Sequence, residues 1–144
     1  MRANILLAVI LVVVPAACKS HRPVPVSATE AADLPRESAV QKLGEVLPTT
    51  DYTYCTLPKW TLKPSAISAW TVQSDAVIIT HGKGNSLRLA YADIRDVTVE
   101  TSGSYFSVKI FTTIQADKEH YQFLWKSEEK AKQAAELLLS LRKK

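Results

Sequence analysis

The sequence is poor in cysteine, histidine and glycine, and this scarcity excludes several kinds of catalytic or metal site. The 144 residues include two cysteines, Cys18 and Cys55, three histidines and four glycines. No CxxC or HExxH pair occurs, so neither a zinc centre nor a redox dithiol is expected. The stretch HGKGN at 81–85 lacks the Walker spacing and is typical of a tight hairpin. We therefore expect no metal and no cofactor.

Long apolar runs are also scarce, and the one that occurs is too short to cross a bilayer. It covers residues 5–14, follows Arg2 and ends at Pro15. A spanning helix needs about 20 apolar residues. A positive tip, a short apolar stretch and small residues at its end are typical of a secretory signal peptide. We expect residues 1–17 to be a signal peptide and the rest of the chain to be exported.

The end of this run carries a motif with a chemical meaning. Ala16, Ala17 and Cys18 resemble the lipobox of bacterial lipoproteins, although Pro15 stands where that family usually has leucine. The resemblance implies that Cys18 is the lipidation site and bears palmitate-like acyl chains. Lys19 after it implies the outer membrane, by the sorting rule of enteric bacteria. Two or more acyl chains give a stable anchor, since each buried methylene contributes about 0.8 kcal/mol.

Two alternatives to this interpretation remain open at the level of sequence. Ordinary cleavage after Ala16 would leave a soluble periplasmic binding module, in which Cys18 and Cys55 would plausibly form a disulfide. A thiol-dependent accessory enzyme would use Cys55 as its nucleophile. Nothing in the sequence brings a histidine to Cys55, so we expect no catalytic residue and no enzyme activity.

Composition then changes three times along the exported part. Residues 18–36 contain prolines at 23, 25 and 35 without apolar periodicity, which predicts an extended lipidated tether. Residues 37–65 predict a short amphipathic helix over 37–47 and an irregular lead-in with at most an edge strand. Residues 66–144 predict the folded domain.

Within 66–144 six short segments rich in β-branched and aromatic residues are separated by turn signals: AISAWTVQ, DAVIITHG, SLRLAYADI, RDVTVET, YFSVKIFTT and HYQFLWKS. Several alternate apolar and polar residues, which indicates antiparallel strands with one buried face. Ser127 then precedes two acidic residues and an apolar stripe of alanine and leucine, which predicts a carboxyl-terminal helix.

This order of strands followed by a helix resembles the pleckstrin-homology-like (PH-like) and GRAM-like domains. The segment SLRLAYADIRDVTVE at 86–100 and the tail from 120 onward are similar to the middle and the end of such domains. The resemblance implies an α+β fold, in which an antiparallel barrel or two orthogonal sheets of about six or seven strands precede a carboxyl-terminal amphipathic helix. It does not imply phosphoinositide binding, because no dense basic cluster is present.

Together these features predict a lipid-anchored, non-catalytic envelope protein that faces the periplasm. Its expected partners are the membrane, reached through the anchor, and an envelope protein or lipid, bound for example by strand addition at a sheet edge. Basic residues outnumber acidic ones by 18 to 14, but an exported chain rarely meets nucleic acid, so no nucleic acid is expected. The acidic residues Asp75, Asp93, Asp96 and Glu100 fit no calcium loop and are interpreted as a solvated face.

Overall fold

The structure is a computed structural model that describes residues 21–27, 29–56, 59–114 and 120–143. The predicted signal peptide, Cys18 and its lipobox lie outside the described residues. No helix in the described ranges is long and apolar enough to cross a membrane.

The described residues contain three α-helices, of which the last is the longest. Helix α1 is Thr29–Ala32, α2 is Arg36–Val46 and α3 is Glu128–Lys143. Helix α3 begins as predicted: the Ser127 hydroxyl accepts a hydrogen bond of 3.3 Å from the Lys130 N–H, and two glutamates occupy the positive first turn. Helix α2 confirms the predicted helix at 37–47 and continues into a 3-10 turn, Leu47–Thr49.

The strands form two antiparallel sheets. Those of the first sheet, in spatial order, are β1 (Pro23–Val24), β7 (Ile94–Ser102), β8 (Tyr105–Thr112), β9 (Tyr121–Trp125), β2 (Tyr52–Thr56) and β3 (Lys59–Leu62). Those of the second sheet are β4 (Ile67–Val72), β5 (Ala76–His81) and β6 (Asn85–Ala90). No strand pair joins the two sheets within the described ranges, so the domain takes the two-sheet form rather than a closed barrel.

The core lies between the inner faces of the two sheets and the helices. The six-stranded sheet contributes valines, isoleucines and aromatic residues at alternate positions, as a half-buried antiparallel sheet requires. Trp70 of β4 meets Phe123 of β9 edge to face, with ring centroids 5.7 Å apart, and so links the sheets. Helices α2 and α3 contribute Leu43, Leu138 and other fully buried residues to the same cluster.

The predicted fold class is confirmed by this topology: an α+β domain of two antiparallel sheets and a carboxyl-terminal helix. All six strands expected between 66 and 127 occur as β4 to β9. The segment 37–65, expected as a helix and an irregular lead-in, also supplies β2 and β3, and β2 pairs with β9 in the middle of the larger sheet. The predicted extended tether at 18–36 is wrong for the part that the structure describes. Residues 23–24 pair with β7, and Thr29–Ala32 form α1, whose Ala31 is buried in the core cluster.

Candidate functional site

The outer face of the six-stranded sheet, turned away from the core, carries two rows of polar and aromatic residues. Strand register places one row across Glu100, Ser107, Leu124 and Tyr52, and the next across Thr98, Lys109, Gln122 and Tyr54. These positions alternate with buried residues such as Val99 and Val108, so their side chains point away from the core. We call this surface the outer face.

A recess of about 420 Å³ opens on the outer face. Its lining includes Tyr52, Tyr54, Glu100, Lys109, His120 and Gln122, with His21 at one side. This volume lies within the range of about 300–1,000 Å³ typical of small-molecule sites. The combination of aromatic rings with a few converging polar groups is also typical of such sites.

The charged groups in the recess neutralise one another. The Lys109 ammonium and the Glu100 carboxylate form an ion pair across β7 and β8, and the His21 Nδ1 lies 3.3 Å from the same carboxylate. Both partners of the Lys109–Glu100 pair are about four-fifths buried, at 23% and 20% exposure, so water screens them less than a surface pair. The Gln122 amide donates a hydrogen bond to the Ser107 hydroxyl, and both residues are buried.

Aromatic rings form the two ends of the outer face. At one end His120 lies against Phe111, with ring centroids 5.3 Å apart, and against Tyr54 at 6.4 Å. At the other end Tyr52 meets Tyr105 edge to face at 5.6 Å. The Lys126 ammonium lies 6.0 Å from the centre of the Tyr105 ring, within cation–π range. The face therefore presents rigid rings on which a bound group can rest.

The amino-terminal segment closes the β7 edge of this sheet. Pro23 and Val24 pair with Glu100 and Val99. The Thr101 N–H donates to the Arg22 carbonyl at 2.9 Å, and the Arg22 N–H donates to the Thr101 hydroxyl at 3.0 Å. The protein's own chain therefore occupies this part of the β7 edge, where a partner strand would otherwise pair.

Two more backbone groups of β7 are bonded by side chains. The Asp96 carboxylate accepts the Val97 N–H at 2.9 Å, and the Arg142 guanidinium donates to the Arg95 carbonyl. Such groups protect an edge strand against pairing with another chain.

Cys55 is not placed for catalysis. Its side chain is 0% exposed and belongs to the core, whereas His120 lies on the outer face beside Tyr54, the residue before Cys55. A cysteine nucleophile needs access to solvent and an electropositive neighbour. The structure thus puts the thiol and this imidazole on opposite faces of one sheet.

The other sequence features have structural explanations. The HGKGN stretch is the β5–β6 hairpin, in which Gly82 and Gly84 adopt φ of 57° and 86°, as a tight turn requires. Asp75 forms a 2.6 Å ion pair with Arg88. Among the described residues no group of three or more histidine, cysteine, aspartate or glutamate side chains is placed to hold a metal ion.

Two tyrosines with shifted pKa lie in the core rather than on the outer face. Burial raises the pKa of Tyr91 well above its ordinary value, the nearby Asp75 carboxylate adds to this, and the Arg36 guanidinium opposes it. The Tyr91 hydroxyl donates to the Gln73 carbonyl at 3.0 Å.

Burial also raises the pKa of Tyr121, and smaller increases come from Cys55 and Asp93. These groups support the fold and take no part in the recess.

The sequence interpretation missed the outer face. Alternation in β8 did place Ser107 and Lys109 on the polar side, but it did not say what lies next to them. Tyr52 and Tyr54, two residues apart, signal a strand with an aromatic face. Their position beside Gln122 and Leu124 depends on the pairing of β2 with β9, which joins residues about 70 positions apart.

Comparisons with known proteins give one structural likeness. No family model matches the chain, and no curated protein matches it. A solved structure described as the PH domain from TgAPH is similar, with a TM-score of 0.49 and 18% sequence identity. The match covers 81% of this chain and 96% of that one. The fold class stated above rests on the strand order and the carboxyl-terminal helix of the chain itself.

Proposed function

We propose that this protein is a lipoprotein of the bacterial envelope that binds a ligand on its outer face and catalyses no reaction. In this proposal acylated Cys18 holds the domain at a membrane facing the periplasm, with the outer membrane implied by Lys19. The ligand is a segment of an envelope protein or an envelope lipid. The observation that carries the binding role is the recess of about 420 Å³ on the outer face.

The chemistry of the recess favours binding over catalysis. Its carboxylate and its ammonium are paired with each other, so each already has a charged partner within the recess. Tyrosine rings supply large contact areas at a low cost in side-chain entropy. A partner that inserts an apolar or amide-bearing side chain among Tyr52, Tyr54 and Leu124 would exclude water without breaking the Lys109–Glu100 pair.

The position of Cys55 supports the lipid anchor over the disulfide alternative. Strand β1 lies near the amino-terminal end of the described residues. Three strands separate it from β2, which makes the distance between them about 19 Å at about 4.8 Å from each strand to the next. Cys55 also lies inside the core, so its thiol would have to leave the core to meet Cys18. Acylation of Cys18 needs no such rearrangement.

Cross-linking tests the binding site directly. A photoreactive benzoylphenylalanine is placed at Tyr54, and the matched control carries it at Thr71, which is exposed on the far side of the three-stranded sheet. In detergent-solubilised envelope we expect discrete cross-linked species from position 54 and none from position 71. Equal cross-linking from both positions, or none from either, would refute the outer face as the binding site.

Mass spectrometry and fractionation test the anchor separately. We expect the native protein in the membrane fraction to carry acyl mass on Cys18 and to resist release by high salt and alkaline wash. Cys18→Ala should move it to the soluble fraction. An intact Cys18–Cys55 disulfide without acyl mass would instead establish the soluble module.

A further inference from the structure

The docked amino-terminal segment limits how far the domain can stand from an anchor at Cys18. Arg22 is held on β7 by two hydrogen bonds with Thr101. Four residue steps separate Cys18 from Arg22, and a fully extended chain spans about 3.3–3.6 Å per step. The anchor is therefore within about 14 Å of the sheet, far closer than a free tether of twenty residues would allow.

The same docking decides which end of the sheet is near the anchor. Because β1 is antiparallel to β7 and Pro23 lies opposite Glu100, the chain before Pro23 runs towards Ser102 and the β7–β8 hairpin. The opposite end of β8, at Thr112, is about 25 Å away at about 3.4 Å per residue. The carboxyl end of α3 is also distant, since Arg142 contacts Arg95, six residues along β7 from Thr101.

The end near the anchor carries groups suited to a lipid head-group layer. Tyr52 and Tyr105 are half-buried and packed together, and the exposed Lys126 lies over the Tyr105 ring. Tyrosine is enriched at membrane–water interfaces, and lysine buries its aliphatic stem there while its ammonium meets anionic lipid. The Asp51 carboxylate beside them accepts the Lys126 backbone N–H at 2.8 Å.

From these two observations we propose that the sheet end formed by Tyr52, Ser104, Tyr105 and Lys126 is a membrane-docking surface that rests on the head groups of the bilayer holding Cys18. The inference rests on the anchor in the proposed function but not on the ligand of the recess. It adds an orientation: the hairpin at 102–105 faces the lipid, and the turn after β8 faces away.

Label accessibility tests this orientation with a matched pair of exposed turn residues. Ser104→Cys and Thr113→Cys flank β8 at its two ends, and each is labelled with a fluorophore in protein extracted from membranes. The proteins are reconstituted in vesicles of phosphatidylethanolamine and phosphatidylglycerol. For the label at position 104, we expect quenching by a water-soluble quencher to be severalfold weaker in acylated protein than in unanchored Cys18→Ala protein. For the label at position 113, we expect the two proteins to be quenched equally.

Lys126→Glu checks the chemistry of the contact. The charge reversal should weaken binding of the unanchored protein to the same vesicles about fivefold or more, while Lys83→Glu in the β5–β6 hairpin is the surface control. Equal accessibility at 104 and 113 in acylated protein would overturn the orientation and leave the anchor standing. Absence of acyl mass on Cys18, measured beforehand, would overturn both and identify the anchor as the cause.

Discussion

Replacing one leucine of α2 tests whether the segment before residue 66 belongs to the folded unit. Leu43 lies in the middle of α2 and is 0% exposed, within the same core cluster as the strands. Leu43→Ala removes three carbon atoms from a fully enclosed site, and such changes cost about 2–5 kcal/mol through lost burial and the cavity left behind. Because the site has no exposed side, we expect about 3 kcal/mol, a large share of a typical stability of about 5–15 kcal/mol.

The measurement is guanidinium unfolding followed both by far-ultraviolet circular dichroism and by tryptophan fluorescence. Trp125 is buried in β9, so fluorescence reports mainly on the sheets, whereas circular dichroism also reports on the helices. We expect both signals to shift together to lower denaturant concentration. The exposed Lys42→Ala in the same helix should change the free energy of unfolding by less than about 0.5 kcal/mol. A fluorescence midpoint unmoved by Leu43→Ala would mean that α2 is not part of the core.

Three further outcomes concern Tyr91, Cys55 and Gly44. Because burial raises the pKa of Tyr91, this hydroxyl loses its proton at lower pH in the unfolded chain than in the folded protein. Above about pH 10 the free energy of unfolding should therefore fall by up to about 1.4 kcal/mol per pH unit. Tyr91→Phe should flatten this slope in alkaline unfolding curves, and an unchanged slope would show that Tyr91 is not its source. In the Cys18→Ala protein, Cys55 should react with a thiol reagent only as fast as the core opens, so rapid labelling at neutral pH would revive a catalytic role. Gly44→Ala should raise the free energy of unfolding by roughly 0.5–1 kcal/mol, because alanine favours the helix more than glycine does. The added β-carbon would lie 3.8 Å from the β-carbon of Val72, which is an ordinary contact. A lower melting temperature for the variant would mean that α2 and β4 pack too closely to accept it.

Local patterns were enough to predict most of the elements. The alternation of Val97 and Val99 with polar residues gave β7 and its buried face, and Ser127 with the following glutamates gave the start of α3. Both signals come from residues that are only a few positions apart in the sequence.

The site could not be predicted in the same way because it depends on pairing between distant parts of the chain. A period of two says that Tyr52 and Tyr54 share a face, but not that this face continues across β9. Proline-rich composition predicted an extended tether over 18–36, which holds for β1 at Pro23–Val24 but not for α1 at Thr29–Ala32. Composition also does not show that an extended segment has a sheet edge within reach. The recess spans the part of the sheet that lies between these two non-local pairings, so neither segment alone signals it.

The coverage of the β7 edge has a consequence for what proteolysis near the amino terminus would do. Several backbone groups on this edge are bonded within the protein, by residues 22–24 and by the side chains of Asp96 and Arg142. Unbonded, these groups would be able to pair with the edge strand of a second copy. A protease that removed the chain up to residue 24 would take away Val24 from the margin of the core and uncover the backbone of Val99 and Thr101, while the fully buried residues of the sheets and helices stayed in place. The trimmed protein would then be prone to pair edge to edge, so clipping would show first as self-association rather than as unfolding.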